Sequence, residues 1–116
     1  MSEKEINEMF AQFLGWFVAE CYVTPTDKDI KCLNLDTEFK EIPPYTMKFH
    51  CDWNWLMLVV DKIENVHNKT VLIERQKCHI HSGGTHHGVS TKVQSKIEAV
   101  YNACAEFVQW YNKQQK

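Results

Sequence analysis

The strongest fold signal lies in residues 52–66, whose sequence is DWNWLMLVVDKIENV. At 100° per residue, most of its apolar side chains fall on one stripe of an α-helix. Asp52 or Asn54 can cap the N-terminus, so we expect a helix that ends near Val66. The stripe consists of Trp53, Leu56, Val59, Val60, Ile63 and Val66, with Met57 at its margin and Leu58 on the opposite side.

Two further amphipathic helices are predicted, one near each end of the chain. The first covers about residues 3–14, and the last begins at Ser95 and continues to about Tyr111. Each starts with an S-x-x-E capping box, in which two side chains satisfy backbone N–H groups of the first turn. Gly15 suits the left-handed position that ends a helix. The last helix is apolar over nearly half its circumference, so we expect it to be deeply buried or to meet a partner.

The strands are predicted between these helices. Residues 16–23 favour one strand, residues 45–50 a short one, and residues 70–81 a long strand or a bent pair, while residues 32–35 could form another short strand. Within 70–81, alternation places Val71 and Ile73 on the face of His79 and His81, opposite Leu72, Cys78 and Ile80. This order predicts an α+β fold for residues 1–116 as a single domain. We expect an alpha-beta-alpha sandwich, with helices on both faces of a small mixed sheet of about four strands.

Composition limits the class of protein. The chain has 116 residues, of which 44% are hydrophobic and 24% charged, so disorder is excluded. Its formal net charge is −2 and Arg75 is its only arginine, which disfavours a protein that grips duplex nucleic acid. No apolar run approaches the ~20 residues that span a bilayer, and the N-terminus lacks a secretory pattern. Five cysteines without CxxC spacing are expected to be reduced thiols, which favours the cytoplasm.

Three segments together carry a family resemblance. They are residues 11–16 (AQFLGW), residues 49–64 (FHCDWNWLMLVVDKIE), and residues 96–101 (KIEAVY) with 107–112 (FVQWYN). These segments resemble the phage alpha-beta-alpha sandwich domain, a family of small proteins of tailed phages and prophages. Leu58 stands where that family often has proline, and residues 78–88 are not part of the shared pattern. The resemblance implies a sandwich fold, a mobile-element origin and an infected or lysogenic bacterial host, and it brings no catalytic residues.

A histidine cluster is the candidate metal site. His79 and His81 alternate along a strand, and His86 and His87 follow across a glycine turn. Neutral imidazoles that converge in this way can bind a transition metal, with Cys78 or Cys51 as conceivable further ligands. The alternative is that all four histidines are exposed polar residues, and no cofactor is then required.

The start of the middle helix is the candidate ligand site. His50, Trp53, Asn54 and Trp55 surround free backbone N–H groups that favour an anion, and indole faces favour a flat base, so a nucleotide-type molecule could dock. Asp52 competes for the same N–H groups, and ordinary core packing of the tryptophans is the alternative. Met57, Leu58 and Trp110 are candidate interface residues of a homodimer.

Three functions therefore stay open. No nucleophile elbow, Walker or dinucleotide pattern is present in the sequence. We expect a small non-enzymatic phage or prophage accessory protein that acts by binding, most concretely by sequestering a nucleotide signal or a protein of host defence. The alternatives are a metal-dependent enzyme that uses the histidine cluster, and a phage structural or assembly factor.

Overall fold

The computed structural model describes residues 3–19, 22–33, 42–43, 46–74, 77–82, 85–90 and 95–114. These residues form four helices and five strands, a mixed α+β fold as the sequence predicts. The helices are α1 (Glu3–Phe13), α2 (Asp27–Cys32), α3 (Trp53–Asn65) and α4 (Lys96–Gln114). The strands are β1 (Phe17–Val18), β2 (Val23–Thr24), β3 (Thr70–Glu74), β4 (Lys77–Ser82) and β5 (Thr85–Ser90).

Two helix ends follow the predicted local signals. Gly15 has φ of +83°, and its N–H donates to the carbonyl of Gln12 while the N–H of Trp16 donates to that of Ala11. This is a Schellman motif, in which glycine avoids the steric cost of the left-handed conformation. At the start of α3, the Asp52 carboxylate accepts a hydrogen bond of 2.9 Å from the backbone N–H two residues later.

The starts of α2 and α4 also use side-chain caps. The Ser95 hydroxyl accepts from the N–H of Glu98 at 3.2 Å, which confirms one half of the second capping box, whereas Ser2 of the first box lies outside the described residues. The Thr26 hydroxyl accepts from the N–H of Asp29 and begins α2, a helix that the sequence pattern did not predict. Cys32, expected as the start of a short strand, is the last residue of α2.

The strands form two antiparallel sheets in the described part of the chain. One strand was expected over residues 16–23, but the structure has β1 and the start of β2, which pair with each other. A short strand was expected over residues 45–50, but Phe49 and His50 lie in a turn. The larger sheet has the order β3-β4-β5, with Val71 opposite Ile80 and Ile73 opposite Cys78.

This register corrects the predicted strand faces. Residues directly opposite each other share a face, so Val71 and Ile73 lie on the face of Cys78 and Ile80, away from the histidines. The prediction was wrong because the chain reverses direction between β3 and β4. The alternation of side chains between the two faces along β3 therefore does not continue unchanged into β4.

Helix α4 forms the centre of the molecule. It contacts α1, α3 and all three strands of the larger sheet. Val100, Cys104, Phe107 and Val108 are completely buried within it. The wide apolar arc of this helix is thus explained by burial on several sides.

The observed layering leaves the predicted sandwich unconfirmed. α4 packs against β4 and β5, while α3 contacts both β3 and α4 directly, so the larger sheet does not separate these two helices. Cys78 and Ile80 are completely buried, whereas Leu72, on the other side of the sheet, is 44% exposed.

The apolar stripe of α3 also differs from the prediction, because Trp53 is 38% exposed and Leu58 is half-buried against the core.

Candidate functional site

The structure separates the residues of the candidate ligand site at the start of α3. Trp55 is buried, with its ring centroid 5.4 Å from that of Phe49, so it is a core residue. Trp53 lies at the surface, and the backbone N–H of Asn54 is occupied by the Asp52 carboxylate. His50 and these helix residues do not line either of the two grooves that border the C-terminal half of α3.

His50 instead belongs to a polar cluster between α1 and α4. Its Nδ1 lies 3.3 Å from Oε1 of Glu3, and its ring centroid lies 6.3 Å from that of Tyr101. The Tyr101 hydroxyl is buried and has no hydrogen-bond partner among the described residues. Burial and the negative charge of Glu3 raise the pKa of Tyr101 to about 12. The phenol therefore stays protonated in alkaline solution, where an exposed tyrosine would begin to ionise.

The histidine cluster is partly described. His79 and His81 are half-buried neighbours on β4, with ring centroids 5.9 Å apart and an interplanar angle of 25°. His86 and His87 lie on β5, and their side chains are outside the described part of the structure. Among the described side chains, no group of three or more potential metal ligands converges. Cys78 is buried on the opposite face, and burial raises its pKa to about 11.

The three candidate interface residues lie at the margin of the core. Met57, Leu58 and Trp110 are each half-buried and pack against it, and the Trp110 ring centroid lies 5.9 Å from that of Phe107. Part of the apolar area that we assigned to a partner is therefore used within the chain. A homodimer through these residues stays a prediction.

A groove that the sequence pattern did not predict lies between α2 and α3. This α2–α3 groove has a volume of about 400 Å³, and its walls include Lys28, Asp29, Asp61 and Lys62. Asp29 is fixed there because its carboxylate accepts a 2.7 Å hydrogen bond from the indole N–H of the buried Trp16. The groove thus offers two ammonium groups and two carboxylates, one of them held in place.

A second groove adjoins the first at the C-terminal end of α3. This His67 groove has a volume of about 300 Å³ and shares Lys62 and Val66 with the α2–α3 groove. Its other wall residues supply three rings and two side-chain amides: Phe13, His67 and Tyr111 with Gln12 and Asn112. Both volumes fall in or near the range that small-molecule sites occupy, about 300–1,000 Å³.

Lys62 is held at the junction of the two grooves. Its ammonium group donates to the backbone carbonyl of Phe13 and lies 5.2 Å from the centroid of the Phe13 ring. A cation at this position also interacts favourably with the C-terminal end of α1. Lys62 thus has a structural role, and it places a positive charge beside both grooves.

The His67 ring is positioned by aromatic neighbours. It stacks on Phe13 at 5.0 Å and meets the edge of Tyr111 at 4.5 Å between centroids. Burial, followed by the positive charges of Lys62 and Lys69, lowers the pKa of His67. The imidazole is therefore mainly neutral at pH 7, so one ring nitrogen donates a hydrogen bond and the other accepts one.

Sequence periodicity could not reveal these grooves. Their walls come from α1, α2, α3, α4 and the residues next to these helices. They combine polar side chains with apolar ones such as Val66 of the predicted stripe, so the pattern of a single helix does not show them. One signal was present: Lys62 lies in the last turn of α3 and His67 directly follows the strongest apolar stripe, at a helix end where polar residues can face a cleft.

Comparisons with protein-family models, with curated proteins and with solved structures found no match for this chain. The likeness to the phage sandwich family therefore stays a prediction. Among the described residues, no helix has both the length and the apolar content needed to cross a membrane.

Proposed function

We propose that this chain is a small non-enzymatic accessory protein of phage or prophage origin, which acts by binding in the cytoplasm of its bacterial host. Its ligand, on this proposal, is a nucleotide-type signal of host defence. The residue pattern shared with the phage sandwich family supports the origin, and that family's three-layer arrangement is part of the same proposal. The geometry of the two adjoining grooves supports the ligand.

The observation that carries the ligand class is the junction at Lys62. On one side, the His67 groove presents aromatic rings and the side-chain amides of Gln12 and Asn112. Rings contact the faces and edges of a flat base, and amides can pair with its donors and acceptors. Lys62 itself can contact a phosphate where the two grooves meet.

The α2–α3 groove suits the remainder of such a molecule. Asp29 and Asp61 can accept hydrogen bonds from ribose hydroxyls, while Lys28 adds a second cation. Because its walls hold two ammonium groups and two carboxylates, the combined groove carries little net charge. This balance favours a ligand with one or two phosphate charges, such as a cyclic nucleotide or an ADP-ribose-type molecule, over a polyphosphate.

Isothermal titration calorimetry of the untagged chain against cyclic nucleotides and ADP-ribose tests this proposal. We expect one molecule to bind per chain, and we expect the double variant Gln12→Ala/Asn112→Ala to weaken binding at least tenfold. Both side chains are exposed, so their removal should change stability little.

The matched control is Trp53→Ala/Asn54→Ala, which alters the site first expected at the start of α3. It should bind as the natural chain does. If this control loses binding while the groove variant keeps it, the ligand site is the one that the sequence predicted. If none of these compounds binds, a nucleotide ligand is excluded, and a host-defence protein or a phage assembly partner is the remaining candidate.

A further inference from the structure

The two grooves that meet at Lys62 have walls of different chemistry. The His67 groove presents rings and side-chain amides, and the described residues that line it include no acidic side chain. The α2–α3 groove holds Asp29 and Asp61. Apart from the shared Lys62, its other charged wall residue in the described part of the chain is Lys28, so this groove is negative overall beyond Lys62. A ligand that extends through both grooves therefore meets rings first, then an ammonium group, and then carboxylates.

Asp29 is a fixed hydrogen-bond acceptor in the α2–α3 groove. Its Oδ2 atom accepts the 2.7 Å hydrogen bond from the indole N–H of the buried Trp16, which joins α2 to the core. Its backbone N–H donates to the Thr26 hydroxyl at the start of the same helix. An ionised carboxylate can accept about four hydrogen bonds, so Oδ1 can also accept one from a ligand. Because the carboxylate is already held in place, little conformational entropy is lost when a ligand binds to it.

The charges beside Asp29 favour a sugar over a phosphate. Carboxylates repel phosphate groups and accept hydrogen bonds from hydroxyl groups. When the base of a nucleotide lies in the His67 groove and its phosphates lie at Lys62, the group that follows the phosphates lies beside Asp29 and Asp61. A cyclic mononucleotide has no such group, because its phosphate closes a ring on its own sugar. A nucleoside diphosphate sugar has one, namely a second sugar that carries several hydroxyls and no charge.

We propose that the ligand of the two grooves is a linear nucleoside diphosphate sugar, and that Asp29 is the residue that selects its second sugar. The base lies against the rings of the His67 groove, the diphosphate contacts Lys62, and a hydroxyl of the second sugar donates to Asp29. This inference rests on the proposed nucleotide function and narrows it to one ligand class, which excludes cyclic mononucleotides.

Calorimetric titration of the full untagged chain with ADP-ribose, ADP and 3′,5′-cyclic AMP tests the inference. ADP retains the base, the first sugar and both phosphates of ADP-ribose and lacks the second sugar. We expect ADP-ribose to bind about tenfold or more tightly than ADP, because a hydrogen bond to a charged acceptor is added and the more highly charged end of ADP is repelled. Asp29→Asn should weaken ADP-ribose binding about tenfold and leave ADP binding equal or tighter. The single oxygen of the new amide is used by the Trp16 N–H, and its NH₂ group donates rather than accepts.

Asp27→Asn is the matched control, because it makes the same change of charge on α2 at a residue that does not line the groove. It should leave the preference for ADP-ribose over ADP within about twofold of that of the natural chain. Circular dichroism checks that each variant folds. If Asp29→Asn does not fold, Asp61→Asn takes its place and should also weaken binding of ADP-ribose but not of ADP.

The possible results separate this inference from the proposal on which it rests. Equal affinity for ADP-ribose and ADP, tighter binding of cyclic AMP than of ADP-ribose, or an unchanged preference in the groove variant overturns the inference and leaves a nucleotide ligand in place. If none of the three compounds binds, the inference and the nucleotide proposal are both overturned.

Discussion

Replacing Tyr101 with phenylalanine should make the protein more stable. The side chain is 8% exposed, its ring meets the edge of Phe10 at 5.6 Å, and its hydroxyl is buried without a hydrogen-bond partner among the described residues. A buried polar group that lacks a partner costs about 1–3 kcal/mol. Tyr101→Phe removes this cost and keeps the ring contacts. We expect the free energy of unfolding to rise by about 1 kcal/mol, the lower end of that range, because the dispersion contacts of the hydroxyl oxygen are also lost.

Urea denaturation followed by circular dichroism measures this change. The midpoint concentration should increase while the slope of unfolding free energy against urea stays the same, and the melting temperature should rise by about 3–6 °C. Tyr22→Phe is the control, because Tyr22 is only half-buried, and its effect should stay within about 0.5 kcal/mol. A loss of 1 kcal/mol or more in Tyr101→Phe would instead show that the hydroxyl makes a favourable hydrogen bond in the folded protein.

The same substitution should alter stability in alkaline solution. The pKa of Tyr101 is raised in the folded protein, so above pH 10 the unfolded chain loses its phenol proton first and unfolding becomes more favourable. Cys78 and Cys104 act in the same direction, because burial raises both thiol pKa values. Stability should therefore fall from about pH 9 upward, and Tyr101→Phe should reduce the fall between pH 10 and 12. If stability depends on pH in the same way in Tyr101→Phe and in the natural chain, the raised pKa of Tyr101 is contradicted.

Three further substitutions test local contacts. Asp29→Ala should lower the free energy of unfolding by about 1–3 kcal/mol in urea titrations, because the buried Trp16 N–H loses its acceptor. The control is Asp27→Ala, and an equal loss of stability in that variant would contradict this role of Asp29. Asp52→Ala should lower the free energy of unfolding by about 1 kcal/mol by the same measurement. Asp52→Asn should lower it much less, since asparagine also caps helices, and equal losses in the two variants would refute the capping role. The lowered pKa of His67 means that the folded protein resists protonation, so stability should fall as the pH drops below about 6.5. Thermal melts of His67→Gln should show a weaker dependence between pH 7.5 and 5, and an unchanged dependence would disprove the link.

The helices that were predicted best from the sequence have both an apolar stripe and a nearby residue that marks a helix end. Asp52 begins α3, Ser95 caps α4, and Gly15 ends α1, because each of these signals acts within a few residues. The burial of Trp53 and Trp55 was predicted less well. Angular position alone favoured Trp53, but the core beside the start of α3 includes Phe49 and Trp16, whose rings contact Trp55.

The layering and the grooves depend on long-range contacts that a single sequence does not specify. The stripes on α3 and α4 require apolar neighbours, but they do not determine whether a sheet or another helix supplies them. α2 was missed because six residues, with Ile30 as its buried apolar residue, cannot show a helical period. Without α2 the α2–α3 groove could not be foreseen. The role of Lys62 was hidden likewise, since its acceptor, the Phe13 carbonyl, is 49 residues away in sequence.

Binding at the two grooves can be tested by a ¹⁵N–¹H correlation titration of the labelled chain with ADP-ribose and with a cyclic nucleotide. We expect the amide shift changes to concentrate at the grooves on either side of Lys62, around Gln12, His67 and Asn112. Changes confined to residues 50–55, or no change with either compound, would contradict it.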